Sequence, residues 1–258
     1  MKKYVYLGLL AVFSYVGFVL AQLPADRAYT YIHEKKLLPF ELYQLDGSAW
    51  SGKAGVLKIG KQRIENVDWQ LDFSALLMGE IKLALGRELA GHHVSLVAGR
   101  SAGGSYSLSS GEQALPMAEL ESLINPQPFG LKGNAVVELE QINIDGGQLV
   151  GLEGNLEWRD AGLGAPLNIT VGNFAAEFTT QDDGVHGILK DTSGALKLNG
   201  DLMLKPDGSY KLTATLKSRD PKRKDLKQAL RMFGTPSPDG QITVSRVGTL
   251  NLQQLLSL

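Results

Sequence analysis

The 258-residue chain has no cysteine, which excludes disulfides, thiolate nucleophiles and cysteine-ligated metal together. It also lacks a surplus of basic charge: 26 Lys and Arg stand against 27 Asp and Glu. Without that surplus little is available to neutralise phosphates, and no nucleic acid partner is expected. Histidine is scarce, limited to His33, His92, His93 and His186. His92 and His93 are adjacent, so in a strand they point to opposite faces and do not share a metal. No His-Glu-x-x-His is present. The run Gly99-Arg100-Ser101-Ala102-Gly103-Gly104 lacks the Gly-Lys-Ser/Thr ending of a phosphate cradle. Asp182-Asp183 beside Gly184 reads as a solvated turn, because a calcium loop needs several more oxygen ligands at fixed spacing. No catalytic residue, metal site or cofactor is therefore expected, and the chain is not read as an enzyme.

What stands out instead is an uncharged, mostly apolar run, Tyr4 to Leu23, immediately after Lys2 and Lys3. As a helix it is roughly 30 Å long, enough to cross a hydrocarbon core. Two lysines precede it and Asp26 is the first charge after it, so the positive-inside rule keeps the N-terminus in the cytoplasm. The bulk of the chain is then exported, in a bacterium to the periplasm. Two processing outcomes stand open. Val19-Leu20-Ala21 fits a signal-peptidase site that would free a protein starting at Gln22, but the apolar run exceeds the ~7–15 residues of a cleavable signal. An uncleaved single-pass anchor in the inner membrane, with residues 4–23 in the bilayer, is the expectation.

Beyond the anchor, period-2 alternation dominates. Val67, Trp69, Leu71 and Phe73 share one face, with Asp68, Gln70 and Asp72 on the other. Ile81, Leu83 and Leu85 alternate in the same way, as do Leu167, Ile169 and Val171. The clearest hairpin places Leu196, Leu198, Leu202 and Leu204 before a Pro206-Asp207-Gly208 turn, with Tyr210, Leu212, Ala214 and Leu216 returning. Strands with one apolar and one polar face belong to antiparallel sheets with a wet side. The expected fold is mainly β: an N-terminal transmembrane helix, then an elongated, curved antiparallel sheet, as one body or two related β lobes, with a few short helices.

Those helices are three. Leu226, Ala229, Leu230 and Phe233 recur at helical spacing, with Asp220 placed as N-cap, Pro221 as first residue and Gly234 as stop. Met117 to Ile124 is bounded by Pro116 and Asn125-Pro126, and a third helix runs outward from Asp26 to about Lys36. The break Asn125-Pro126-Gln127-Pro128 divides the exported part, giving residues 1–25 as tip and anchor, 26–125 as a first β section and 126–258 as a second. Ser101 to Ala114 reads as a loop or irregular hairpin. The stretches ending in Trp69 and Trp158 share a faint pattern that a duplicated strand unit would explain. The basic cluster Lys217, Arg219, Lys222, Arg223 and Lys224 reads first as the solvated start of a helix, with anionic lipid or an acidic partner as the functional alternative.

One segment is more distinctive. Gly47-Ser48-Ala49-Trp50-Ser51-Gly52 forms a Gly-x-x-Trp-Ser-Gly signature, followed by Val67-Asp68-Trp69-Gln70-Leu71 and then Leu76-Leu77-Met78-Gly79. Later come Leu156-Glu157-Trp158, Asp191-Thr192-Ser193-Gly194, Pro206-Asp207-Gly208 and Asp239-Gly240. In this order the elements resemble type II secretion system protein N over nearly the whole length. The resemblance implies an accessory component, anchored in the inner membrane, of the machine that exports folded periplasmic proteins across the outer membrane. Its partners would be other subunits of that machine, in the inner-membrane platform or the secretin. A helical tether would raise the local concentration of the domain at such partners. Gly47, Trp50, Ser51, Gly52, Trp69 and Trp158 are the signature or interaction candidates. Trp50 has two readings: a ring capping the end of a sheet where glycines let backbones approach, or an exposed anchor for a partner. The first is preferred, since the motif lies where strands begin.

A second class of function stays open. A long sheet with a continuous apolar face forms a groove for acyl chains, and the pattern faintly resembles AsmA-like envelope proteins. An open, dry face from Val67 through Leu216 would favour lipid binding or carriage. Filling of that face by short helices, Leu226 to Phe233 above all, would make it a core.

Overall fold

The computed structural model describes residues 2–34, 40–59, 62–89, 91–124, 130–165 and 167–250. Thirteen strands form one antiparallel sheet whose spatial order is the chain order. Two compact units divide the chain, one mainly Met1–Glu88 and the other mainly Gly103–Leu256. The expected break at Asn125-Pro126-Gln127-Pro128 lies outside the described residues.

The first unit opens with α1 (Lys2–Ala21) and α2 (Ala25–Glu34), then β1 (Phe40–Gly47), β2 (Ser51–Ile59), β3 (Gln62–Leu71), α3 (Phe73–Leu77) and β4 (Ile81–Leu89). The helix α1 covers most of the expected membrane span. Among the described residues, however, no helix is long and apolar enough to cross a membrane. The side chains of Val5, Leu9, Phe13, Val16 and Leu20 lie outside that description. Alternation in β3 is as expected through Leu71, with Val67 buried and Trp69 half-buried. Phe73 is a correction: it opens α3 instead of extending the strand. The cause is Asp72, whose Oδ1 accepts from the N–H groups of Ser74 (2.8 Å) and Ala75 (3.3 Å) and turns the chain into a helix.

After β5 (His92–Arg100), the second unit contains β6 (Tyr106–Pro116), α4 (Met117–Ile124), β7 (Leu131–Asp145), β8 (Gln148–Leu163), β9 (Ile169–Gln181), β10 (Gly184–Gly194), β11 (Leu196–Leu204), β12 (Ser209–Ser218), α5 (Lys224–Leu230) and β13 (Ile242–Thr249). Of the 101–114 stretch, expected as a loop or irregular hairpin, the part from Tyr106 onward belongs to β6, an irregular strand whose register against β7 shifts twice between Leu108 and Gln113. The irregularity breaks the period-2 signal that sequence reading depends on. The helix α4 has the expected bounds, and its buried Glu121 accepts from the Leu131 N–H at 2.8 Å, closing the first donor of β7. Asp182-Asp183 forms the two-residue turn between β9 and β10.

The β11–β12 hairpin is as expected. Leu204 pairs with Tyr210, Gly208 has φ +83°, and Asp207 Oδ1 accepts from the Ser209 N–H at 2.8 Å. The helix that follows starts later than expected, at Lys224 and not Pro221. Asp220 is committed instead to a turn, its Oδ1 accepting from the Lys222 N–H at 2.8 Å. Leu226, Ala229 and Leu230 then bury against Ala161, Ile169, Val171, Leu196 and Ile242, the main core of this unit.

Two consequences are measurable. Leu226, 1 % exposed at the centre of this core, should cost about 2–5 kcal/mol when cut to Ala, read as a fall in the denaturant midpoint. Asp191, with a side chain 7 % exposed, bridges the end of β10 to Arg219. Burial pulls its carboxyl up, but the Arg219 hydrogen bond, the Leu198 N–H and the Arg219 charge outweigh burial and leave it lowered. A lowered folded-state pKa adds stability above the ordinary carboxylate range, which is lost as pH falls through the lowered value. Asp191→Asn should therefore be less stable at neutral pH and show a flatter acid limb in a stability-versus-pH series.

Candidate functional site

The Gly-x-x-Trp-Ser-Gly segment closes the β1–β2 hairpin, with Gly47 and Gly52 as cross-strand partners. Ser48 organises the turn: its N–H donates to Ser51 O at 2.8 Å, and its Oγ accepts from the Ser51 N–H at 3.1 Å and the Trp50 N–H at 3.3 Å. Gly47 has φ +95°, a left-handed conformation that other residues adopt only under strain. Gly52 is required for space. A Cβ there would strike the Asp46 carbonyl and stand 2.5 Å from Trp69 Cζ2. The Trp69 ring thus lies across the bare glycine, and its Nε1 donates to Ala49 O at 3.3 Å.

Trp50 is half-buried and meets Phe73 edge to face, with centroids 5.6 Å apart at 87°. Its carbonyl accepts from the Leu71 N–H at 2.6 Å. The same turn is joined to the chain leaving α1: the Ala49 N–H donates to Leu23 O at 2.8 Å, and Pro24 bridges to Ser48. The signature therefore fastens the first hairpin to the exit of the N-terminal helix.

Beside Trp50, α3 turns only Ala75 inward. Phe73 and Leu77, one helical turn apart, are exposed, Leu77 at 78 %, and Met78 follows at 77 %. Large apolar side chains presented together to solvent are a mark of an interaction surface. Sequence reading placed Phe73 in a strand and used Leu77 and Met78 only as signature elements. The signal that was available is Asp72 followed by Ser74 and Ala75, a helix start.

Trp158 belongs to the second unit and contributes no group to this turn. Its Nε1 donates to Lys132 O at 2.8 Å, so Trp69 and Trp158 each fasten an indole N–H to a backbone carbonyl of the preceding hairpin segment. Trp158 packs at a tilt on Phe174, 6.0 Å between centroids, and lines an apolar cavity of about 360 Å³ bounded by α5. The sequence pointed to an open apolar groove on this face; its reduction to a cavity bounded by α5 was not legible there. Among the described residues no three His, Cys, Asp or Glu side chains converge on a point where a metal could be held. His92 and His93 are both exposed at the start of β5, and His186 is engaged by Asp183 at 2.7 Å.

The fold and site define a β-sheet protein with a signature turn that ties the sheet to the exit of the N-terminal helix. The sequence model of the family described as Type II secretion system (T2SS), protein N, matches residues 39–245, and the chain belongs to that family. It is thereby a component of type II secretion. It is 25 % identical over 256 residues to type II secretion system protein N of Aeromonas hydrophila, covering 97 % of this chain and 100 % of that one. The protein of the same name from Vibrio cholerae serotype O1 is 28 % identical over 251 residues, covering 93 % and 96 %. A match to the Pectobacterium carotovorum protein, 27 % identical over 124 residues, spans 48 % of this chain and 50 % of that one. No solved structure matches the chain.

Gly52→Ala should destabilise the first unit by about 1–3 kcal/mol or more, because the new methyl group meets backbone on one side and the Trp69 ring on the other. The expected readout is a lower unfolding midpoint with a red shift in tryptophan emission as Trp69 is displaced into water.

Proposed function

We propose that the chain is an accessory, inner-membrane-anchored subunit that supports export of folded periplasmic proteins by contacting other type II secretion subunits. In this reading α1 is the anchor, the N-terminus is cytoplasmic and the sheet is periplasmic. The anchor reading is supported by the uncharged Tyr4–Leu23 run behind Lys2 and Lys3. It is also supported by the described apolar side chains of α1, among them Leu7, Leu10, Val12 and Phe18, which are all exposed. A row of solvent-facing apolar groups on a helix is costly in water and natural in lipid.

The observation that carries the docking role is the exposed group Phe73, Leu77 and Met78 beside Trp50, on a turn bonded to the anchor's exit. A large, unbranched Met and a nearby half-buried Trp suit the centre of a protein interface, where a few such residues carry most of the binding energy. The two readings of Trp50 thus merge. Its half-buried ring sits at the turn of the hairpin, and its Phe73 contact supports the exposed patch. The partner is a platform or secretin subunit.

A photo-crosslinking amino acid at Leu77 or Met78 in secreting cells is expected to yield adducts containing such a subunit, while the same probe at exposed Thr179 gives none. Leu77→Asp should lower secretion with an unchanged melting temperature, since the side chain touches no core. Full secretion by Leu77→Asp, together with no subunit adduct, would overturn the assignment of this patch.

A further inference from the structure

The cavity under α5 and the charge on the outer side of that helix point to a second site, beyond the secretion role. We infer that the second unit binds an anionic phospholipid, with one acyl chain in the cavity and the head group on α5.

The cavity is lined almost wholly by apolar side chains, among them Trp158, Phe174, Leu189, Leu198, Leu216 and Phe233. At about 360 Å³ it lies in the ~300–1,000 Å³ range of small-ligand sites. A void of this kind in a well-packed domain forfeits dispersion contacts along its whole wall, unless an apolar guest supplies them. Trp158 contributes no free polar atom to the wall, because its N–H is engaged by Lys132 O. No polar handle is offered inside, which selects a hydrocarbon guest over a polar one. Phe233 lines the cavity and is 50 % exposed, so it marks the mouth. Met232 beside it is exposed as well. The Met232 and Phe233 N–H groups bond back to Ala229 O at 3.1 Å and Leu230 O at 2.9 Å, holding both side chains on a tightened turn.

The charges of α5 and its C-cap that lack an ion-pair partner are all positive. The sequence cluster resolves into two kinds of cation. Lys217, Arg219 and Arg223 are occupied by Asp239, Asp191 and Asp225 respectively. Among the described residues Lys222, Lys224, Lys227 and Arg231 have no such partner and are exposed. Lys224, Lys227 and Arg231 fall at i, i+3 and i+7, one stripe along the outer side of α5. Leu226, Ala229, Leu230 and Phe233 form the opposite side, facing the cavity. One short element therefore separates a cationic surface from an apolar space, with exposed Met232 and Phe233 at the junction. That is the arrangement of an interfacial helix on anionic lipid. A neutral apolar peptide would have no use for the stripe, and a soluble anion no use for the cavity.

The site also refines the expectation of an open groove. Leu226, Ala229 and Leu230 fill part of the apolar face as core, and what remains is a pocket sized for a chain.

The test uses the full chain reconstituted in vesicles whose phosphatidylglycerol carries bromine on its acyl chains. The chain has three tryptophans, so Trp50→Phe/Trp69→Phe leaves Trp158 as sole emitter. If that variant does not fold, the difference between the wild type and Trp158→Phe isolates the same signal. Saturable quenching of Trp158 is expected, with markedly less from brominated phosphatidylcholine. Leu198→Phe, which fills the cavity, should abolish it without lowering the melting temperature. Reversing Lys224, Lys227 and Arg231 to Glu should weaken it about tenfold or more. Absence of quenching, or equal quenching by both lipids and by the charge-reversed protein, would overturn the proposal.

Discussion

The antiparallel ladder between consecutive strands is the interaction on which the rest of this structure depends. Each strand satisfies its backbone groups against its chain neighbours, from β1 to β13, with no crossover. Every pairing joins strands that are neighbours in the chain, across a turn or across one of the short helices α3, α4 and α5, and contacts this local in sequence favour fast assembly. The ladder also sets a demand. A sheet with one apolar face and two unpaired edges must have that face covered and those edges managed.

The described helices meet this demand piece by piece. The edge strand β1 is served by α2, whose Tyr29 hydroxyl accepts the Leu42 N–H at 2.9 Å. In the second unit α4 supplies Met117 to a small core with Leu115 and Ala135, and its Glu121 closes the start of β7. The helix α5 covers the apolar ends of β9, β11 and β12. Seven residues of helix are too few to fill the space they roof, and the cavity beside Trp158 is the result. Likewise α3 fully buries a single alanine and leaves Phe73 and Leu77 outside. Both places of functional interest arise where a short helix meets a broad sheet and the packing is incomplete.

Glycines mark where the ladder is drawn tightest. At Gly52 the Trp69 ring takes the place of a side chain, and at the Gly172–Gly194 pair two strands approach so closely that a Cβ on either would strike backbone. The second pair lies beside the Asp191/Ser193 irregularity, where the Asp191–Arg219 ion pair bridges β10 to the end of β12. Backbone proximity and a partly buried ion pair here replace the side-chain packing that the glycines lack.

Much of this was legible in the residues. The alternation of β3 and β11, the Pro206-Asp207-Gly208 turn, the bounds of α4 and the family signature all rest on local rules of period, turn chemistry and termination. The errors were also local: Phe73 continues an alternating pattern, yet the Asp72 side chain captures the next N–H groups, and Asp220 spends its cap on a turn before α5. The sequence by itself determined a β protein of the type II secretion system protein N family, because strand period and signature order survive without knowledge of distant contacts. Only the tertiary structure decided what is surface and what is interior. The exposure of Leu77, the contact of the signature turn with Leu23 and the space between α5 and Trp158 depend on residues far apart in the chain. Packing is a property of pairs brought together by the sheet, and no reading along one strand at a time contains it.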